Sequence, residues 1–134
     1  GHYLSVHEGP QRIATSGSDE PLVAGMVLSN EPGFYASGRY GIRIENLVIV
    51  VEDRQPGDGQ PGDGRPMLAF ETITMAPIDR RLIEPSLLTA AEVSWLDRYH
   101  EQVRAALAPG LEGDVLGWLC SVTAPLARPG TANQ

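Results

Sequence analysis

Residues 26–51 read MVLSNEPGFYASGRYGIRIENLVIVV. At period 2, Gly41, Arg43, Glu45, Leu47, Ile49 and Val51 share one face, and Ile42, Ile44, Asn46, Val48 and Val50 share the other. The pattern predicts one strand from 41 to 51, apolar on both faces, with Arg43 and Glu45 side by side in its first half. Charges entering such a run are costly without partners, so Arg43 is expected to be buried against an anion. The run Met26–Glu31 also alternates, with Val27, Ser29 and Glu31 opposite Met26, Leu28 and Asn30. Pro32, Gly33, Ser37 and Gly38 supply the turn chemistry of a connecting loop. If the two runs pair antiparallel, Glu31 and Glu45 leave adjacent strands near that loop and face one pocket. Two carboxylates repel there, so a cation is expected between them.

The 134 residues are enough for one domain with a real core. A net charge of -7 argues against a nucleic-acid partner, and no basic run suggests a membrane surface. Every basic residue is arginine, which reads as codon bias from a GC-rich genome. The single cysteine, Cys120, excludes an internal disulfide framework, and neither a signal peptide nor a long apolar span is visible. A reducing, cytoplasmic setting is expected. The chain starts without Met and directly in a strand-like phrase, which is how the tail of a longer polypeptide would read.

In order, Gly1–Pro10 (GHYLSVHEGP) predicts a short strand ending in a turn, with His2 and His7 on opposite faces and so poorly placed to share one metal. Residues 14–22 read as a loop. In Glu52–Pro66 the phrase QPGDG occurs twice in tandem, a slack connection without the ligand order of a calcium loop. LAFETITM at 68–75 returns as an alternating strand of the same antiparallel sheet. The period then becomes helical. Thr89 and Glu92 form a capping box, and Val93, Leu96, Tyr99, Val103 and Leu107 fall on one stripe until Pro109-Gly110. A shorter helix over 112–121 offers Val115, Leu116, Trp118 and Leu119, and the tail from Pro125 is expected to fray. Trp95, Tyr99 and Trp118 read as core or interface aromatics. Residues 1–79 hold 11 acids against 5 arginines, and residues 80–134 hold 6 against 5, so the acidic excess lies with the strands and the proposed carboxylate pair.

Three ordered motifs carry the argument further: VHEGP at Val6–Pro10, NEPGFY at Asn30–Tyr35 and GIRIEN at Gly41–Asn46. Together they resemble the Xaa-Pro aminopeptidases (aminopeptidase P) of the pita-bread metallopeptidase family. ETITMAPID, LLTAAEVSWLDRYHEQVR and WLCSVTAPL are similar to the C-terminal extension of its longer, eukaryotic-like form. The resemblance implies an α+β fold: the C-terminal half of a pita-bread domain, an antiparallel sheet followed by a small helical extension. Residues 1–79 would be the partial catalytic domain, 80–128 the extension and 129–134 a tail.

By that resemblance Glu31 and Glu45 are metal ligands, and Glu31 is also the general base toward the attacking water. His7 binds substrate and stabilises the tetrahedral intermediate, and Arg43 supports the site by hydrogen bonding. The implied cofactor is a pair of divalent ions, Mn²⁺ first, with Zn²⁺ or Co²⁺ also suited to such ligands. The implied substrate is a peptide with proline second. The family's other ligands, two aspartates and a histidine, match nothing here: Asp19, Asp53 and Asp79 lie in loops or linkers, and His2 falls at a different place in its phrase. The expected activity is therefore that of a C-terminal portion, inactive alone. The alternatives are a non-catalytic interaction or dimerisation module and a metal-free peptide-binding domain. Strands apolar on both faces, with one short helical extension, further predict association with a second copy or with an N-terminal half.

Overall fold

The computed structural model describes residues 9–53 and 67–126, which fall into two compact units, Gly1–Thr74 and Met75–Gln134. The strand expected at the start of the chain with His2 and His7, the QPGDG repeat and the tail from 127 lie outside the described residues.

In the first unit the described strands are β1 (Val27–Asn30), β2 (Gly33–Ala36), β3 (Tyr40–Arg43), β4 (Asn46–Asp53) and β5 (Met67–Thr72). β1, β4 and β5 form an antiparallel sheet in that order, and β2 pairs antiparallel with β3 in a second, two-stranded sheet. The first run, expected to pair with a strand over 41–51, pairs with 46–49 of it, and the returning strand pairs with 48–53. Two expectations are corrected. The loop between the runs contains a hairpin of its own, β2–β3. The single strand expected over 41–51 is two strands, β3 and β4, separated by Ile44 and Glu45.

The cause of the break lies opposite it. Pro32 has no N–H to give to a ladder, so regular pairing stops on both chains. Ile44 still donates its N–H to the Pro32 carbonyl at 3.3 Å, which keeps the two chains side by side across the gap. The register is the same on both sides, with Asn30 opposite Asn46 before the gap and Gly33 opposite Arg43 after it. Glu31 therefore falls opposite Glu45, and Pro32 opposite Ile44.

Period-2 geometry then sorts the sheet. Leu28, Val48 and Val50 are buried together, with Leu22 and Met26 packed against them. On the other face Val27, Leu47 and Ile73 are exposed. A sheet of β-branched residues buried on one side only leaves an apolar surface on the other.

The second unit contains α1 (Ala90–Leu107) and α2 (Gly113–Val122). The Thr89 hydroxyl accepts the Glu92 N–H at 3.3 Å, and the Glu92 carboxylate accepts the Thr89 N–H at 2.7 Å; this is the expected capping box. Val93, Leu96, Tyr99 and Val103 of α1 pack with Leu119 of α2 and with Leu126. Leu126 corrects the expected fray from Pro125: it is buried, and its N–H donates to Asp97 Oδ1 at 2.8 Å. Arg104 donates to the Thr123 carbonyl at 2.9 Å, and Arg80 to the Ser121 and Pro125 carbonyls at 3.1 and 2.9 Å. Arginine forks thus satisfy carbonyls that the end of α2 leaves over. Of the aromatics read as core or interface, Tyr99 is core, its hydroxyl donating to the Ala76 carbonyl at 2.7 Å, while Trp95 and Trp118 are exposed.

His100, which the sequence stripe did not single out, is fully buried. Its Nε2 accepts the Ile78 N–H at 3.0 Å, which places the proton of the neutral ring on Nδ1, without a partner among the described residues. Burial first, and then the nearby Arg80 charge, hold its pKa below the ordinary 6.5. The folded unit therefore binds this proton less readily than the unfolded chain does. Stability is complete above pH 6.5 and falls as the pH drops from there towards the lowered folded value. A thermal midpoint that declines from pH 6.5 to about 5 is expected, with the decline flattened in His100→Gln, which keeps an acceptor for Ile78. An equal slope in the two proteins would assign the acid sensitivity elsewhere.

Candidate functional site

The site lies at the gap in the long hairpin. Glu31 follows β1 directly, Glu45 precedes β4, and Arg43 closes β3, so all three side chains are set by the same interruption. They share the face that carries Ser29, Gly33, Tyr35 and Gly41, because the register is unbroken and each lies an even number of residues from the next.

The Glu31 carboxylate accepts the Ser29 hydroxyl at 2.7 Å and is directly ion-paired and hydrogen-bonded with Arg43 Nη1. The same Nη1 lies 3.9 Å from Glu45 Oε2. Arg43 thus stands between two carboxylates that would otherwise face each other. Tyr35 first, and then Glu31, raise the pKa of the Arg43 guanidinium above its ordinary value.

The expected burial of Arg43 is corrected. Its side chain is 49% exposed, against 23% for Glu31 and 50% for Glu45. The physical reason is the break itself: Arg43 ends a strand at an open gap instead of entering a continuous apolar one. Its ion pair is therefore solvent-screened, and Arg43→Ala costs far less stability than removal of half a buried pair would.

The sequence reading missed Tyr35 and Ser29. A Cβ on Gly33 would meet the Tyr35 ring at 2.9 Å, and one on Gly41 would meet it at 2.7 Å. The ring lies over two backbone positions that only glycine leaves open. The signal was present as Gly33 and Gly41 on the same face and on paired strands as Tyr35. His7 lies outside the described residues, so the structure assembles three of the four expected site residues, Glu31, Arg43 and Glu45.

Carboxylate oxygens are hard donors suited to Mn²⁺ and similar divalent ions, and Glu31 and Glu45 both approach Arg43 Nη1 from the two arms of one hairpin. Among the described residues no group of three or more His, Cys, Asp or Glu converges on a metal position. The pair fits part of a coordination shell and does not complete one.

The chain matches two family profiles: metallopeptidase family M24 over residues 1–52, and the C-terminal region of peptidase M24 over residues 66–126. A probable Xaa-Pro aminopeptidase P of Coprinopsis cinerea is 47% identical over 130 residues, which make up 94% of this chain and 20% of that protein. Its counterpart in Sordaria macrospora is 49% identical over 132 residues, 93% of this chain and 20% of the relative. The crystal structure of an X-prolyl aminopeptidase from Caenorhabditis elegans, described as a cytosolic enzyme with a di-nuclear active site, superimposes with a TM-score of 0.72. It is 40% identical and is matched over 94% of this chain and 20% of its own. The chain therefore spans about one fifth of the length of these relatives. The antiparallel sheets followed by helices are the C-terminal part of a pita-bread aminopeptidase fold.

Proposed function

Since the chain belongs to metallopeptidase family M24, we propose that it is the C-terminal portion of an Xaa-Pro aminopeptidase, contributing ligands to a metal site that other residues complete. The observation that carries this reading is the placement of Glu31 opposite Glu45 across a gap in one hairpin, bridged by a cation.

In this reading Glu31 and Glu45 hold a divalent pair, with Mn²⁺ the first choice. The remaining ligands, two aspartates and a histidine, come from polypeptide that the relatives have and this chain does not match. When bound, the ions supply Lewis acidity toward the attacking water and the scissile carbonyl of the Xaa-Pro bond. Glu31 takes the proton from that water, Ser29 orients the carboxylate that does so, and His7 steadies the substrate and the developing oxyanion. Arg43 and Tyr35 fix the edge of the site. The exposed apolar face bearing Val27, Leu47 and Ile73, and the exposed Trp95 and Trp118, support association with the preceding half or with a second copy. No helix among the described residues is long and apolar enough to cross a membrane. A cytoplasmic location follows the cytosolic description of the C. elegans enzyme.

The test is a chimera in which this chain replaces the matching fifth of the C. cinerea relative. With Mn²⁺ it is expected to release the first residue of an Arg-Pro-Pro peptide, whereas the 134-residue chain alone releases none. A folded chimera without activity, beside an active parent, would overturn the reading.

A further inference from the structure

The Arg43 guanidinium occupies the position where charge balance calls for a positive ion. It is paired with Glu31, stands 3.9 Å from Glu45 and lies on the same face as both. An arginine fork and a divalent cation compete for the same lone pairs, because a carboxylate oxygen that accepts a short charged hydrogen bond has its best electron density already directed. Two features make exchange feasible. The Arg43 side chain is half-exposed, so it can move without opening a core. A second partner is at hand on the same face: the Tyr35 ring lies over Gly33, which pairs with Arg43, and over Gly41 of the strand that Arg43 ends.

We propose that Arg43 is the resident counter-ion of this carboxylate pair, and that a divalent cation binds only by displacing Arg43 from Glu31. Arg43 then plays two opposed parts. It holds Glu31 and Glu45 near each other before the metal arrives, and it lowers the affinity of the metal that replaces it. The inference rests on the reading of Glu31 and Glu45 as ligands, and it concerns loading of the site instead of turnover.

The experiment is a Mn²⁺ titration of the 134-residue chain, followed by electron paramagnetic resonance of free Mn²⁺. Paramagnetic broadening of nuclei at Ser29 and Leu47 locates the ion. Removing one positive charge from the site in Arg43→Gln is expected to tighten Mn²⁺ binding by at least about tenfold. Arg43→Lys keeps the charge and is expected to stay within about threefold of the unsubstituted chain. Adding Glu31→Gln to Arg43→Gln is expected to abolish the gain. In the unsubstituted chain, saturating diamagnetic Zn²⁺ is expected to shift the Arg43 Nε–H resonance, a readout independent of how any variant folds. Mn²⁺ localised at Ser29 and Leu47 but bound no more tightly by Arg43→Gln, or an Arg43 resonance unmoved at saturation, would overturn the inference and leave the ligand reading in place. Mn²⁺ that broadens neither residue in any variant would also overturn the inference, since the loss of Arg43 would then open no site, while the ligand reading is decided separately by the activity of the chimera.

Discussion

Glu31→Gln in the active chimera is expected to lower kcat by about 10²- to 10⁴-fold, the range over which positioned general bases contribute. Extra Mn²⁺ should not restore the rate. Glutamine keeps the shape and one oxygen but loses the charge that attracts the ion and the basicity that accepts a proton. Glu45→Gln separates these two losses. In the roles proposed above it removes a ligand without removing the base, so it should raise the Mn²⁺ requirement and regain much of its rate in excess metal. The order follows from geometry: Glu31 is the less exposed carboxylate, and Ser29 and Arg43 hold it in place, whereas Glu45 stands half in solvent. Equal recovery of both variants with Mn²⁺ would reduce Glu31 to a ligand alone.

Leu119→Ala is expected to destabilise the Met75–Gln134 unit by about 2–5 kcal/mol, the cost of a cavity at a fully buried leucine. Leu119 is 0% exposed and packs among Val93, Leu96, Tyr99, Val103 and Leu126, which are rigidly placed by α1 and by the Asp97 bond to Leu126. Neighbours fixed in this way cannot collapse into the vacated space. Both tryptophans of the chain, Trp95 and Trp118, belong to this unit, so their fluorescence in urea reports its unfolding. Trp118→Ala, one position away and 56% exposed, should shift stability by no more than about 0.5 kcal/mol. Equal midpoints for Leu119→Ala and the unsubstituted chain would show that the packing around α2 is not what holds the unit together.

Much of this structure was legible in the chain because its signals are local or periodic. The capping box at Thr89 and the stripe through Val103 needed no tertiary information. Alternation placed Val27, Ser29 and Glu31 on one side and, with antiparallel pairing, predicted that Glu31 and Glu45 would face one pocket. It could not reveal the break at Ile44-Glu45, because period 2 continues unchanged through it and the cause, Pro32, lies on the partner strand. Misreading the break also misplaced Arg43, since an arginine within a continuous apolar strand is buried and one at a strand end is not. Tyr35 was hidden in the same way: its significance depends on Gly41, which only pairing brings beneath its ring. His100 falls on the α1 stripe beside Tyr99, but the group that satisfies its ring nitrogen, the Ile78 N–H, lies 22 residues earlier in the chain.

The unbroken register across the gap bears on how genes of this family can change in length. Insertion of a single residue between β1 and β2, or between β3 and β4, would shift every pair on one side and turn Glu31 or Glu45 to the opposite face. Such a change would silence the site without touching any of its residues. Residues 37–39 at the hairpin tip, and the stretch between β4 and β5 where QPGDG occurs twice, are bound by no such count, since loop closure penalises added length only slowly. Length variation among natural relatives should therefore gather at those two places and be absent from 27–35 and 41–49. A duplicated pentapeptide beside paired strands that have no room for one more residue is what that division would leave behind.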